Sequence, residues 1–154
     1  GEIWLRGPNV FSGYWNRPEA SAEVFADGWF RTGDLASQDE EGLTYVVGRS
    51  KEMFKSGGLN VYPAEIEALL SQHPAVREVC VIGVPDPKWN EVGRAIVAFK
   101  PGMTATPEEL FGFCEGKLAR YKIPKSVVSV DALPRNALGK VVRADLKARY
   151  GVKS

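Results

Sequence analysis

Three charged side chains stand in glycine-bearing polar runs, and each could contact an anionic ligand. They are Asp34 in GWFRTGD, Arg49 in GRSKEMFKSGG and Lys140 in LPRNALGK. A carboxylate accepts hydrogen bonds from ribose hydroxyls, a guanidinium offers a planar fork for phosphate, and an ammonium stabilises charge that develops during a reaction. In this order the three runs suggest a site for a nucleotide and a second anionic ligand.

Each of these residues also has an ordinary structural interpretation. A turn-forming Asp bonds its own backbone, an Arg beside a turn forms a surface ion pair, and a single Lys on a loop is usually just solvated. The pair Gly57-Gly58 permits close approach of a ligand to the backbone, but a plain β-hairpin uses the same residues. Spacing alone leaves both interpretations open at Asp34, Arg49, Lys140 and the glycine pair.

The elements that must position these residues change in kind near residues 48–51. Before this point, short strands and turns dominate, and Asp34 is expected at the end of a strand over 29–32, before a polar turn over 37–42. After it, strands alternate with helices. Further strands are expected at 2–6, 43–47, 52–56, 59–62, 76–84, 92–99 and 126–130, and helices begin at 18, 63, 107 and 143. From residue 51 onward this pattern predicts a small α+β domain, a sheet with helices packed against it.

The charge distribution indicates an anionic partner. Net charge is only +1, but residues 111–154 carry ten Lys or Arg against three Asp or Glu, a sum of +7, which leaves −6 for the first 110 residues. A phosphorylated small molecule and a nucleic acid are both candidates. Nucleic acid is disfavoured because the basic residues are not interleaved with stacking aromatics. A non-catalytic anion-binding module is therefore the weaker alternative.

Composition favours a soluble cytoplasmic protein. Of 154 residues, 44% are apolar and 25% charged, and no apolar run approaches the roughly 18 residues of a membrane span. Cys80 and Cys114 are far apart in apolar settings, which fits neither a disulfide scaffold nor a zinc site and favours a reducing compartment. His73 has no catalytic or metal-binding neighbours in the sequence. The absence of a basic leader and of an initial Met suggests a segment of a longer polypeptide.

The ordered motifs resemble the C-terminal part of the adenylate-forming (AMP-binding) superfamily, and among its members they are most similar to acyl-CoA synthetases. The resemblance covers essentially the whole chain. It rests on the runs at 1–8 with 13–15, 28–34, 48–58, 62–67 and 133–140.

The resemblance implies a two-step ligase reaction. A carboxylic acid attacks ATP to give an acyl-adenylate and pyrophosphate, and coenzyme A then displaces AMP. By this resemblance Asp34 holds the ribose hydroxyls, Arg49 adds a second contact to the nucleotide, and Lys140 bridges carboxylate and phosphate during adenylation. Lys51 occupies the hinge about which the C-terminal domain rotates between steps. That rotation exchanges Lys140 for the Gly57-Gly58 hairpin, which lines the pantetheine passage.

The resemblance also implies a division of the chain. Residues 1–49 are the β-rich tail of a large N-terminal domain, residues 50–51 the hinge, and residues 52–154 an α+β lid domain with a mixed or antiparallel sheet and flanking helices. The family's phosphate-binding loop and acyl pocket are absent, so the chain alone is expected to be inactive. Mg²⁺ accompanying ATP is expected to be bound by the missing portion, and no metal site is expected here.

The identity of the acid and the acceptor stays open at this stage. Fatty acids and aromatic acids both fit the resemblance, and fatty acid metabolism is one expected setting. An adenylation domain that loads a carrier protein is the main alternative to a CoA ligase. Lys51 at the hinge and the run NVYP at 60–63 favour the CoA ligases. The sequence does not define an oligomeric state.

Overall fold

A computed structural model describes residues 1–152 of the chain. The chain divides into two compact units, an N-terminal unit of residues 1–51 and a C-terminal unit that begins at Glu52. Within the described residues, no helix has the length and apolar character needed to cross a membrane.

The N-terminal unit is an antiparallel sheet with one short helix. Its elements are β1 (Glu2–Leu5), α1 (Pro18–Val24), β2 (Phe25–Ala26), β3 (Trp29–Gln38) and β4 (Thr44–Arg49). The long strand β3 is central, since β1, β2 and β4 all pair with it. Pro18 occupies the first turn of α1, where its missing N–H costs no hydrogen bond.

The C-terminal unit is a five-stranded mixed sheet with three helices. The elements are β5 (Phe54–Ser56), β6 (Leu59–Val61), α2 (Pro63–Leu70), β7 (Val76–Asp86), β8 (Asn90–Phe99), α3 (Pro107–Cys114), β9 (Ser126–Ser129) and α4 (Arg143–Tyr150). The β7–β8 hairpin is the longest feature. β9 lies parallel to β8 on the edge opposite β7, and the other strand pairs are antiparallel.

Alternating side chains of this sheet form two apolar clusters. On one face, Val81 and Val97 pack with α2 and α3, whose buried residues include Ile66 and Leu110. On the other face, side chains that include Ile96 pack with Leu133 and with Leu146 of α4. The two sets are offset by one residue, as expected when successive side chains point to opposite faces. Helices on both faces bury the sheet and set the positions of the loops between elements.

The predicted α+β class is confirmed, while several predicted boundaries were wrong. The strand expected over 29–32 continues to Gln38, so the expected polar turn at 37–42 starts within it. The loop between β7 and β8 is shorter than expected. The helix that starts at Pro107 ends at Cys114, although Leu118 still packs on the core. Its predicted capping box is present, with Thr106 and Glu109 bonded reciprocally.

Candidate functional site

The strand pairing of the N-terminal unit brings Asp34 and Arg49 together. The two residues are directly opposite each other in the β3–β4 ladder, and Arg49 Nε donates to Asp34 Oδ1 at 2.7 Å. Both side chains are partly exposed, so they remain accessible to a ligand. A carboxylate beside a guanidinium provides acceptors for hydroxyl groups and donors for phosphate oxygens at one place.

The expected position of Asp34 at a strand end was wrong, because Asp34 lies inside β3. The preceding Gly33 has φ +75°, a left-handed conformation that favours glycine, and the register shifts between Leu35 and Ala36. The Thr32 hydroxyl accepts from the Asp34 N–H at 3.0 Å. A glycine and a bulge therefore resemble a turn in the sequence, although the strand continues through them.

Gly57 and Gly58 form the two-residue turn between β5 and β6. Both have positive φ, +58° and +83°, as in the turn type that matches the twist of a hairpin. Gly57 N–H donates to the Trp89 carbonyl at 2.8 Å, and a Cβ on Gly57 would lie 2.8 Å from the Trp89 ring. A Cβ on Gly58 would meet nothing within 4 Å. One glycine therefore packs against the indole, and the other leaves its backbone open.

Lys140 lies on a short loop that is ordered by hydrogen bonds to Asn136. Asn136 Oδ1 accepts from the N–H groups of Leu138 and Lys140, and Asn136 N–H donates to the Lys140 carbonyl. The Lys140 side chain is exposed, and within residues 1–152 its ammonium has no hydrogen bond or ion pair. The arrangement presents a single positive charge from an ordered backbone.

The Lys140 loop and the glycine turn contact opposite ends of the β7–β8 hairpin. Arg135, at the start of the loop, bonds Glu78 near the beginning of β7, while Gly57 bonds Trp89 in the hairpin loop that follows Asp86. Glu78 and Asp86 are eight residues apart on β7, or about 26 Å at about 3.3 Å per residue. One small ligand cannot contact both hairpin ends in the same pose of this unit.

Lys51, the predicted hinge residue, is an exposed turn residue at the last position of the N-terminal unit. Glu52 follows it as the first residue of the C-terminal unit and forms an ion pair with Arg143 at 3.3 Å. The residue after the expected hinge is therefore held within the C-terminal unit.

The sequence did not predict an ionic cluster at the free edge of β7. Glu67 of α2 accepts from the Val81 N–H at 2.6 Å, and Arg143 donates to the Val81 carbonyl at 2.6 Å and to Glu67 at 2.7 Å. These bonds occupy backbone groups that an edge strand otherwise leaves unpaired. One signal was available: Glu67 shares a helix face with Pro63, Ile66 and Leu70, and a carboxylate on an apolar face needs a partner.

Burial and the charge of Glu67 act in opposite directions on Arg143, whereas burial dominates at the nearby thiol. Burial opposes the charge of Arg143, but the hydrogen bonds and charge of Glu67 outweigh it, so the pKa of the guanidinium is raised. Burial also raises the pKa of the neighbouring Cys80 thiol to about 12, although the charge of Arg143 opposes this shift. Burial likewise raises the pKa of Cys114. Both thiols are free and buried, which makes them poor nucleophiles.

The structure also contains a cavity of about 370 Å³. It is lined by residues of the 129–134 segment and of α4, including Asp131, Pro134 and Arg149. None of the predicted site residues lines it. The candidate site therefore consists of exposed side chains and backbone groups that lie outside this cavity.

Comparison with known proteins decides the family. Residues 65–140, from α2 to Lys140, match the model for the AMP-binding enzyme C-terminal domain. The chain contains the C-terminal domain of the AMP-binding enzymes. Its C-terminal unit therefore carries an AMP-binding C-terminal domain, as the sequence motifs indicated.

Relatives of this domain include acid–CoA ligases. A feruloyl-CoA synthase from Amycolatopsis sp. is 49% identical over 98% of this chain and 31% of its own length. An indoleacetate–CoA ligase from Aromatoleum aromaticum is 53% identical over 96% of the chain and 29% of its own length. The chain thus spans less than a third of these relatives.

A solved structure has the same fold as this chain. The o-succinylbenzoate-CoA synthetase from Bacillus subtilis, in complex with its acyl-adenylate intermediate, matches with a TM-score of 0.89 at 44% identity. The match covers 96% of this chain and 30% of that one. The small α+β architecture is therefore that of the C-terminal domain of adenylate-forming enzymes.

Proposed function

We propose that this chain is the C-terminal part of an AMP-forming acid–CoA ligase, which converts a carboxylic acid, ATP and CoA into acyl-CoA, AMP and pyrophosphate. The observation that carries the proposal is identity of about half over nearly the whole chain to two acid–CoA ligases. ATP and CoA are the expected co-substrates, and a cytoplasmic location fits the two free thiols.

In the first step, Lys140 stabilises the charge shared by the attacking carboxylate and the α-phosphate. Its exposed ammonium on an ordered loop supports this role, because a preorganised charge needs no rearrangement at the moment of reaction. Asp34 accepts hydrogen bonds from the ribose hydroxyls. Arg49, paired with Asp34 at 2.7 Å, orients that carboxylate and donates to the nucleotide.

In the second step, the CoA thiol attacks the acyl carbonyl, the thioester bond forms and AMP leaves. The open backbone at Gly58 gives the pantetheine arm a surface to lie against. The separation of this turn from the Lys140 loop supports rotation at Lys51, since a rotating domain can present its two ends in turn. Residues 1–49 then form the tail of the large domain, 50–51 the hinge and 52–154 the lid.

The chain by itself is proposed to be inactive, because it spans less than a third of the relatives. The acyl pocket, the phosphate-binding loop and the residues that hold Mg²⁺ belong to the remainder of the ligase. The acid is proposed to be chosen by that remainder.

The role of Lys140 is tested by Lys140→Ala in the complete ligase. The rate of adenylation, measured as release of pyrophosphate, should fall at least about 10²-fold, which is the usual cost of one lost charge-stabilising donor. Thioester formation from pre-made acyl-adenylate should be largely spared. Lys147→Ala, an exposed lysine of α4, is the control. Equal loss in both steps would remove Lys140 from the proposed role.

The hinge and the acceptor need separate tests. Lys51→Pro fixes φ, so the rates of adenylation and thiolation should change unequally, whereas equal small changes would place the pivot elsewhere.

The acyl acceptor is tested by offering free CoA and a phosphopantetheine-bearing carrier protein to the same ligase. Acyl transfer to the carrier alone would favour the adenylation-domain alternative.

A further inference from the structure

We infer that Arg135 is a positioning residue for Lys140, fixing the loop that carries the ammonium by joining it to Glu78 of β7. Its Nη1 donates to the Gly139 carbonyl at 2.6 Å, and its Nη2 donates to Glu78 Oε1 at 3.0 Å. Gly139 immediately precedes Lys140. The inference deepens the proposed function and rests on it.

The flanks of the loop are anchored by Leu133 and Val141, which pack on the sheet, and the other hydrogen bonds of the loop fix its shape. Asn136 bonds Leu138, Gly139 and Lys140, all of which lie within the loop itself. The base is held by the backbone bond from Val142 N–H to the Pro134 carbonyl. Among the described residues, the hydrogen bonds from Arg135 are the ones that connect the tip of the loop to the sheet. The guanidinium therefore sets the direction from which the Lys140 side chain approaches a ligand.

The guanidinium fork is needed because two separate acceptors must be reached at once. Two different nitrogens of Arg135 contact two different oxygens. A lysine ammonium is a single point on a flexible stem and does not reproduce this geometry. Glu78 Oε1 accepts the bond from Arg135, while Oε2 is buried without a hydrogen-bond partner among the described residues, so an amide at this position can keep the acceptor that Arg135 uses.

The exposure of the Arg135–Glu78 ion pair distinguishes a positioning role for Arg135 from a role in folding. The Arg135 side chain is 46% exposed and that of Glu78 27% exposed, and ion pairs at such sites contribute little to stability. Catalysis is more demanding, because a displacement of about 1 Å in a reacting group can cost on the order of 10²-fold in rate. Loss of Arg135 should therefore change the reaction while the protein stays folded.

The test compares the two half-reactions in the complete ligase carrying Arg135→Lys or Arg135→Met. Adenylation kcat, measured by ATP–pyrophosphate exchange, should fall at least about tenfold, with KM for ATP nearly unchanged. Thioester formation from pre-made acyl-adenylate and the melting temperature should match wild type. Glu78→Gln, which keeps an acceptor, should retain most of the adenylation rate.

A double-variant cycle shows whether Arg135 acts through Lys140. Arg135→Met added to Lys140→Ala should cause no further loss of adenylation, because the group to be positioned is already gone. Lys122→Met is the control, since it removes another ion pair of the same unit, to Glu65 at 2.8 Å, and should spare both half-reactions.

Two outcomes would overturn the inference. Wild-type adenylation in Arg135→Met would show that the loop needs no such support. An equal further loss in the Lys140→Ala background would show that Arg135 acts independently of Lys140. A wild-type ligase that forms no acyl-adenylate from any acid would instead overturn the proposed function itself.

Discussion

The two units differ in how completely they bury their own apolar surface. Within residues 1–51 Gly48 is the one buried residue, and Trp15 is 96% exposed. Aromatic rings contact one another around Phe11 and Phe30, but they remain partly exposed. The C-terminal unit has two clusters of fully buried side chains, one on each face of its sheet.

The C-terminal unit therefore has a hydrophobic core of its own, whereas the N-terminal unit leaves much of its apolar surface exposed. Burial of apolar surface is the main stabilising contribution to folding. An antiparallel sheet with exposed Trp4, Tyr45 and Val46 has surface that further polypeptide would cover. This agrees with the proposal that residues 1–49 belong to a larger domain, while the unit from Glu52 onward can move as one body.

The strongest test of this comparison separates the units. Residues 52–154 alone should fold and unfold cooperatively, because both apolar clusters lie within them. Residues 1–51 alone should stay largely unfolded, because a chain of this size with little buried area cannot offset its conformational entropy. Circular dichroism during thermal unfolding measures both. A cooperative transition of residues 1–51 would remove the contrast.

The difference in burial between the two units is measured by replacing one isoleucine by alanine in each sheet. Ile96→Ala should destabilise the C-terminal unit by about 2–5 kcal/mol, since Ile96 is fully buried and leaves a cavity. Ile3→Ala in β1 should cost less than about 1 kcal/mol, because Ile3 is only half-buried. Urea unfolding of the whole chain gives both values. Equal costs would indicate a core in the N-terminal unit.

The free energy of unfolding should depend on alkaline pH in the C-terminal unit and on acid pH in the N-terminal unit. Below pH 9, the ordinary pKa of a thiol, folded and unfolded states both keep the Cys80 proton. Between pH 9 and about 12, only the unfolded state releases it, so unfolding free energy falls by up to about 1.4 kcal/mol per pH unit. The free energy of unfolding should therefore fall less steeply with pH above pH 9 in Cys80→Ala than in the wild type.

In the N-terminal unit, the hydrogen bond from Trp4 lowers the pKa of Glu2. A lowered folded-state pKa gives stability that is present above the ordinary value of 4.5 and is lost as pH falls through the folded-state pKa. Glu2→Gln should therefore weaken the acid dependence of this unit and leave the alkaline dependence of the C-terminal unit unchanged. A change in the alkaline dependence of unfolding in Glu2→Gln would contradict the assignment of that dependence to the C-terminal unit.

The smallest expected difference in unfolding free energy is between two turn glycines. Gly28→Ala should cost about 1 kcal/mol, because φ is +78° but a Cβ meets nothing within 4 Å. Gly57→Ala, at φ +58°, adds a Cβ 2.8 Å from the Trp89 ring and should cost about 1 kcal/mol more. Chemical denaturation of the two variants gives the difference. Trp89→Ala should abolish that excess if the indole causes it.

Local signals predicted a large part of the fold. The TPEE run predicted the capping box of α3, and the glycine pair predicted a two-residue hairpin turn. Asp34 was misplaced because Gly33 and the bulge after it interrupt a strand pattern without ending the strand. The site roles of Asp34, Arg49, Lys51, Gly57, Gly58 and Lys140 stay predictions.

The sequence by itself determined most of the elements, because periodicity, caps and turn residues act over a few positions. It also determined the family, since ordered motifs remain legible without a structure. The tertiary structure decided which charges meet: Arg143 contacts Glu67 across 76 positions, and Arg135 contacts Glu78 across 57. It also placed Lys140 and the glycine turn at opposite ends of one hairpin. Such contacts depend on strand register and helix packing, which bring together residues that no local spacing relates.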